Sequence, residues 1–197
     1  MTRGEEQAQT WHHGIVASWW AEFNLNGPEI SYFQKYIEDD GEPALDVACG
    51  TGRLLVPYLR AGLDVDGCDL SADMLARCRV RAEAEGLSPN LYAQAMHELE
   101  LPRKYKTIVL CGGFGLGGNR DQSFESLRRI YEHLQPGGFC CSTTRCRMRS
   151  PASGLTGRRK SGGRCRSRGP SSGPAITGKA PTERNTNCAV GSSSSIP

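Results

Sequence analysis

Between residues 44 and 139, short apolar runs alternate with stretches of helical periodicity. Residues 44–48, 63–68, 90–94 and 107–111, and a run that begins at Phe139, read as strands. Between them, residues 53–60, 71–85 and 121–134 carry apolar side chains three and four positions apart. In the last of these, Phe124, Leu127, Ile130 and Leu134 form one stripe. Ser71 suits a helix N-cap, with Asp73 in the first turn, and Gly86 ends that helix. Asp64 and Asp66 alternate with Leu63 and Val65, which predicts a polar side on the second strand. Gln135-Pro136-Gly137-Gly138 reads as a turn. Strands alternating with helices predict an α/β fold whose mostly parallel sheet is covered on both faces.

Ahead of this pattern, residues 11–40 are helical with a break at Asn26-Gly27-Pro28. Ile15, Val16, Trp19, Trp20 and Phe23 recur at helical spacing. The two tryptophans either pack on the sheet or form a lid over a ligand.

After Cys140 the pattern collapses. No aromatic residue follows, and Ser, Gly, Arg and Pro dominate. Such a segment buries too little apolar surface to offset an ordering entropy of about 1–2 kcal/mol per residue, so disorder is expected. Charge divides at the same place. The chain has a net charge of +3. Residues 1–140 hold 13 Lys+Arg against 20 Asp+Glu, a balance of −7, and residues 141–197 hold 11 against one, a balance of +10. The break falls inside a strand, where a natural domain boundary is out of place. Read one base earlier with GC-rich codons, residues 141–149 can yield Leu-Leu-Asp-Asn-Glu-Val-Pro-Tyr-Ala, a strand end followed by a polar loop. The expectation is that the tail is out of frame; an Arg-rich RNA-binding tail is the rival.

No run approaches the roughly 20 apolar residues of a membrane span, and the N-terminus has no signal-peptide core. The nine cysteines are scattered, without Cys-x-x-Cys or a histidine at ligand spacing. Buried thiols in a reducing cytoplasm are expected, and no metal.

The chemistry concentrates in two places. Asp46-Val47-Ala48-Cys49-Gly50-Thr51-Gly52-Arg53 takes a strand through a glycine turn into a helix. Asp69 ends the next apolar run. Glycines let a ligand approach the backbone, and an acid about twenty residues on accepts hydrogen bonds from ribose hydroxyls. A dinucleotide fingerprint would need a third glycine, and Leu55 stands in its place.

These residues resemble the first motif of class I S-adenosylmethionine-dependent methyltransferases, an acid followed by G-x-G-x-G. Cys68-Asp69-Leu70-Ser71-Ala72-Asp73-Met74-Leu75 looks like the second-strand signature of that family. Leu134-Gln135-Pro136-Gly137-Gly138-Phe139 is similar to its turn into the fifth strand. The resemblance spans about residues 12–139. It implies a Rossmann-like fold, truncated here before the last two strands, with a disordered C-terminal tail. The implied domains are a helical cap over 1–40, an S-adenosylmethionine-binding domain over 41–140 and the basic tail over 141–197.

By the same resemblance, Asp46 orients the loop and helps hold the ligand ammonium. Ala48, Cys49, Gly50, Thr51 and Gly52 present backbone to the methionine part. Asp69 takes both ribose hydroxyls, and Leu70 and Met74 lie near the adenine. Ala48 replaces the first motif glycine. Ala95 stands where the family carries an acid for the adenine amino group, leaving that group to the Met96 backbone or the His97 side chain. The glycine-rich loop at Gly112, Gly113 and Phe114, with Trp19 from the cap, is expected at the acceptor. His12 and His13 are either ordinary residues before a helix or face the acceptor, and the position of His133 near a helix C-terminus favours its charge. No catalytic base is identified.

The implied activity is methyl transfer to a small-molecule acceptor, with nucleic acid and membrane not expected as partners. The alternatives are an NAD-dependent oxidoreductase and an inactive remnant that at most binds S-adenosylmethionine. The sequence does not name the oligomeric state.

Overall fold

The computed structural model describes residues 11–116, 118–143 and 147–152. Helices α1 (Ile15–Phe23) and α2 (Glu29–Asp40) precede β1 (Ala44–Val47). Then come α3 (Leu55–Arg60), β2 (Val65–Asp69), α4 (Ala72–Glu83), β3 (Leu91–Ala93) and a 3-10 turn at Met96–Glu98. β4 (Tyr105–Leu110), α5 (Arg120–Glu132), β5 (Leu134–Ser142) and β6 (Arg147–Arg149) complete the order. The chain divides into two units, residues 1–157 and 158–197; the second lies wholly outside the described residues.

The sheet has the order β3-β2-β1-β4-β5-β6. The first five strands are parallel. The order reverses between β1 and β4, so the loops that leave their paired C-terminal ends run to opposite sides and open a crevice. One core cluster joins Phe33, Ile37, Leu55, Tyr58 and Cys78 from α2, α3 and α4 on one face. A second joins Leu45, Leu99, Ile108, Ile130 and Leu134 on the other. Both faces are thus covered, as near-continuous apolar strands require.

Several local expectations are corrected. Phe124 is 60% exposed under the Arg120 guanidinium, and the buried positions of α5 are Ser126 and Ile130. An unforeseen capping box, Asn119 with Gln122, starts that helix. Asp66 does not make a polar side on β2. It is 1% exposed and held by Arg103 at 2.7 and 2.8 Å, the Tyr105 hydroxyl at 2.8 Å and the Asn90 amide at 3.0 Å. Gln135-Pro136-Gly137-Gly138 belongs to β5, where the register against β4 shifts: Leu134 pairs with Tyr105 and Phe139 with Thr107.

The expectation that order ends near residue 140 is also corrected. β6 runs antiparallel along β5, with Cys140 opposite Met148. Ser150 N–H donates to the Gly138 carbonyl at 2.9 Å, and Arg149 reaches Asp40 at 2.7 Å. The rest of the tail, and with it the frame-shifted reading beyond residue 152, lies outside the described residues.

Arg103 is the hinge of the Asp64–Asp66–Tyr105 network. Arg103→Ala strips a buried carboxylate of its counter-ion and is expected to cost about 3 kcal/mol. Urea unfolding measures this, and a loss below about 1 kcal/mol would contradict it.

Candidate functional site

The turn after β1 is built from left-handed residues. Ala48 has φ 59°, Gly50 φ 56° and Gly52 φ 79°. Gly52 has no room for a side chain: an added Cβ would meet Cys78 Sγ at 2.6 Å and Val56 Cγ2 at 2.9 Å. Its place is therefore the packing of the turn on α3 and α4, and it does not line the hollow described below. Ala48 keeps a left-handed conformation that disfavours a Cβ by roughly 1–2 kcal/mol. Its methyl packs against Gly113, where a second methyl would collide. The glycine-rich loop after β4 is thereby pressed onto the β1 turn.

Asp69 closes the turn from the side. Its Oδ2 accepts from Gly50 N–H at 2.9 Å and its Oδ1 from Ser71 N–H at 2.8 Å. Burial pushes its pKa up, while these backbone bonds and the nearby His12 pull it down. The loop and the acid are thus one bonded unit at the end of the sheet.

Asp46, at the same end of β1, is 1% exposed. Its Oδ2 has no hydrogen-bond partner. Burial first, and then the charge of Asp69, push its pKa up to about 8. A buried carboxylate oxygen without a partner is costly, and a cationic ligand group would satisfy it.

These groups face a hollow of about 370 Å³. Asp46, Ala48, Cys49, Gly50, Thr51, Asp69, Leu70 and Met74 form one side. Ala95, Met96 and His97 line it from the end of β3, and Gly112, Gly113 and Phe114 from the loop after β4. Gln122, Ser123 and Ser126 contribute from α5. Trp19 does not line it: its side chain points outward, 55% exposed, on one side of α1 with Ile15 and Phe23. The neighbouring Trp20, with Trp11, His12 and Asn24, covers the hollow instead. Helical spacing alone could not choose between adjacent tryptophans.

Arg53 lies at the rim, paired with Glu29 of α2 and donating to Cys111 Sγ at 3.7 Å. His133 is held by hydrogen bonds. Its Nε2 accepts from Leu101 N–H at 3.0 Å, with Nδ1 at 2.7 Å from the Arg129 carbonyl. Among the described residues no metal-binding cluster occurs, and no helix is long and apolar enough to cross a membrane.

A family model described as a methyltransferase domain matches residues 44–138. A protein of Geobacillus sp. (strain WCH70), provisionally named a methyltransferase, is 33% identical over 114 residues, 55% of this chain and 46% of that one. The dTDP-3-amino-3,4,6-trideoxy-alpha-D-glucopyranose N,N-dimethyltransferase of Streptomyces venezuelae is 33% identical over 95 residues, 48% of this chain and 38% of that one. The glycopeptide N-methyltransferase MtfA, solved with S-adenosylmethionine, superposes with TM-score 0.54 at 28% identity, covering 61% of this chain and 55% of that one. Residues 44–138 match the methyltransferase-domain family, and the fold is the Rossmann-like fold of class I S-adenosylmethionine-dependent methyltransferases. The chain spans less than half the length of these curated relatives. The oxidoreductase alternative gains no support from them.

Two outcomes follow from the turn and its acids. Asp46 holds its proton in the folded chain up to about pH 8, whereas the unfolded carboxyl loses it near its ordinary value of 3.8. Between these values the folded state binds one proton more. This group therefore lowers stability by about 1.4 kcal/mol per pH unit as pH rises, and adds nothing further above about 8. Asp46→Asn is expected to remove that slope from melting curves taken at pH 5 to 8. Ala48→Gly relieves the left-handed Cβ and is expected to stabilise by about 1 kcal/mol in the same melts; destabilisation would contradict this account of the turn.

Proposed function

We propose that the hollow binds S-adenosylmethionine and that the protein transfers its methyl group to a small-molecule acceptor. The observation that carries this reading is the bonded unit of Gly50 and Asp69 beside the partnerless Asp46 oxygen. Each Asp69 oxygen has accepted one backbone N–H and keeps a lone pair for a ribose hydroxyl. Asp46 would take the ammonium group, whose charge favours the ionised carboxylate. Leu70 and Met96 would flank the adenine. With Ala95 in place of an acid, the adenine amino group is left to the Met96 backbone or the His97 side chain.

When bound, S-adenosylmethionine supplies a methyl group already activated on a sulfonium. The protein's own task is then alignment, a contribution of up to roughly 7–11 kcal/mol. The glycine-rich loop of Gly112, Gly113 and Phe114 and the aromatic cover from α1 are the acceptor's side of the hollow. A small molecule is favoured over nucleic acid because residues 1–140 carry a net −7, the wrong sign for phosphate backbone. The cytoplasm is the matching compartment, where the buried thiols of Cys49, Cys68 and Cys78 stay reduced.

Equilibrium binding of S-adenosylhomocysteine against NAD tests the reading. S-adenosylhomocysteine is expected to bind at micromolar concentrations and NAD at least about a hundredfold more weakly, the scale of one or two lost charge-assisted hydrogen bonds. Equal affinities, or preference for NAD, would refute it.

A further inference from the structure

The cover over the hollow is tied to the first turns of α4. The Ser71 hydroxyl donates to the His12 carbonyl. Gly14 N–H donates to Asp73 Oδ2 at 2.7 Å, and Arg77 Nη2 donates to Ser18 Oγ at 2.9 Å. Gly14 adopts φ 55°, yet an added Cβ there would meet nothing within 4 Å. Glycine is thus suited to this position by backbone conformation rather than by crowding, and that conformation aims its N–H at Asp73.

The strap ends inside the site. Ser71, which holds the His12 carbonyl, also gives its own N–H to Asp69 Oδ1. Beyond His12, the rings form a connected cover: Trp11 lies 4.1 Å from the His12 ring, and Trp20 meets its edge at 5.7 Å. All three line the hollow. Asp73 itself is exposed and lines no part of it. The α4 N-terminus already has its cap in Ser71, which accepts from Met74 N–H, so the start of that helix does not depend on Asp73 for a cap.

We propose that Asp73 is a positioning residue: through Gly14 N–H it holds the Trp11–His12–Trp20 cover down over the donor site. This rests on the reading of the hollow as the S-adenosylmethionine site. The cover keeps water out and supplies ring faces to the bound molecules.

The chain's three tryptophans, Trp11, Trp19 and Trp20, all belong to this segment, so tryptophan emission, excited where tyrosine does not absorb, reports on it alone. The test is the emission maximum and acrylamide quenching of the full chain, with S-adenosylhomocysteine titrated into wild type, Asp73→Ala and Asp73→Asn. Asp73→Ala is expected to red-shift emission, raise quenching and weaken S-adenosylhomocysteine by roughly five- to tenfold, the worth of one hydrogen bond. Asp73→Asn keeps an oxygen for Gly14 N–H while losing the charge, and is expected to match wild type in both readouts. If Asp73→Ala does not fold, Ser18→Ala cuts the adjoining tie from the cover's side and is expected to shift emission the same way. Unchanged emission, an emission shift without loss of affinity, or Asn behaving as Ala would each overturn the proposal. A wild-type chain that ignores S-adenosylhomocysteine while the emission shift persists would sink the donor reading and leave the strap standing.

Discussion

The hydrogen bond from Gly50 N–H to the Asp69 carboxylate is the contact on which the site depends. It joins the turn after β1 to the end of β2, two elements that only a parallel pairing with matched ends brings together. Cys49 N–H to the Cys68 carbonyl, at 3.0 Å, extends the same ladder one step beyond the strands. The bond sits in a left-handed turn, and that turn packs this closely on Cys78 and Val56 because Gly52 carries no side chain. Thus a packing constraint beneath the sheet's end sets the direction of a backbone donor above it.

The electrostatics follow from that geometry. Two carboxylates, Asp46 and Asp69, line the same hollow, and after burial it is the charge of Asp69 that raises the cost of ionising Asp46. Asp69 is compensated by two backbone donors. Asp46 keeps one oxygen without a partner and is the less compensated of the two. The ligand-free fold therefore carries an unfavourable term at neutral pH that a cationic ligand would relieve. Under the proposed reading, function and stability oppose each other at this residue, as they often do where a site must be ready before its ligand arrives.

Much of this was legible in the sequence because it rests on local rules. The spacing from the glycine turn to Asp69, the N-cap at Ser71 and the alternation of strand and helix each depend on a few neighbouring residues. What was not legible depends on distant partners. Asp66 looks like a surface residue in its strand pattern, and only the arrival of Arg103 and Tyr105 from 37 and 39 positions away makes it a core residue. Trp19 and Trp20 are equivalent by periodicity; which one faces the hollow is decided by how Asp73 and Ser71 dock α1. Gly52 has the motif's chemistry but serves packing, because the contact that excludes a side chain comes from α4. β6 was missed since a three-residue edge strand carries almost no pattern of its own.

The most direct test of the central claim is a backbone amide NMR titration of the chain with S-adenosylhomocysteine. The account predicts that the Gly50 and Ser71 amides, the two donors to Asp69, shift strongly together with the Gly112–Gly113 loop. Perturbations clustered away from these amides, with Gly50 and Ser71 unmoved at saturation, would contradict it.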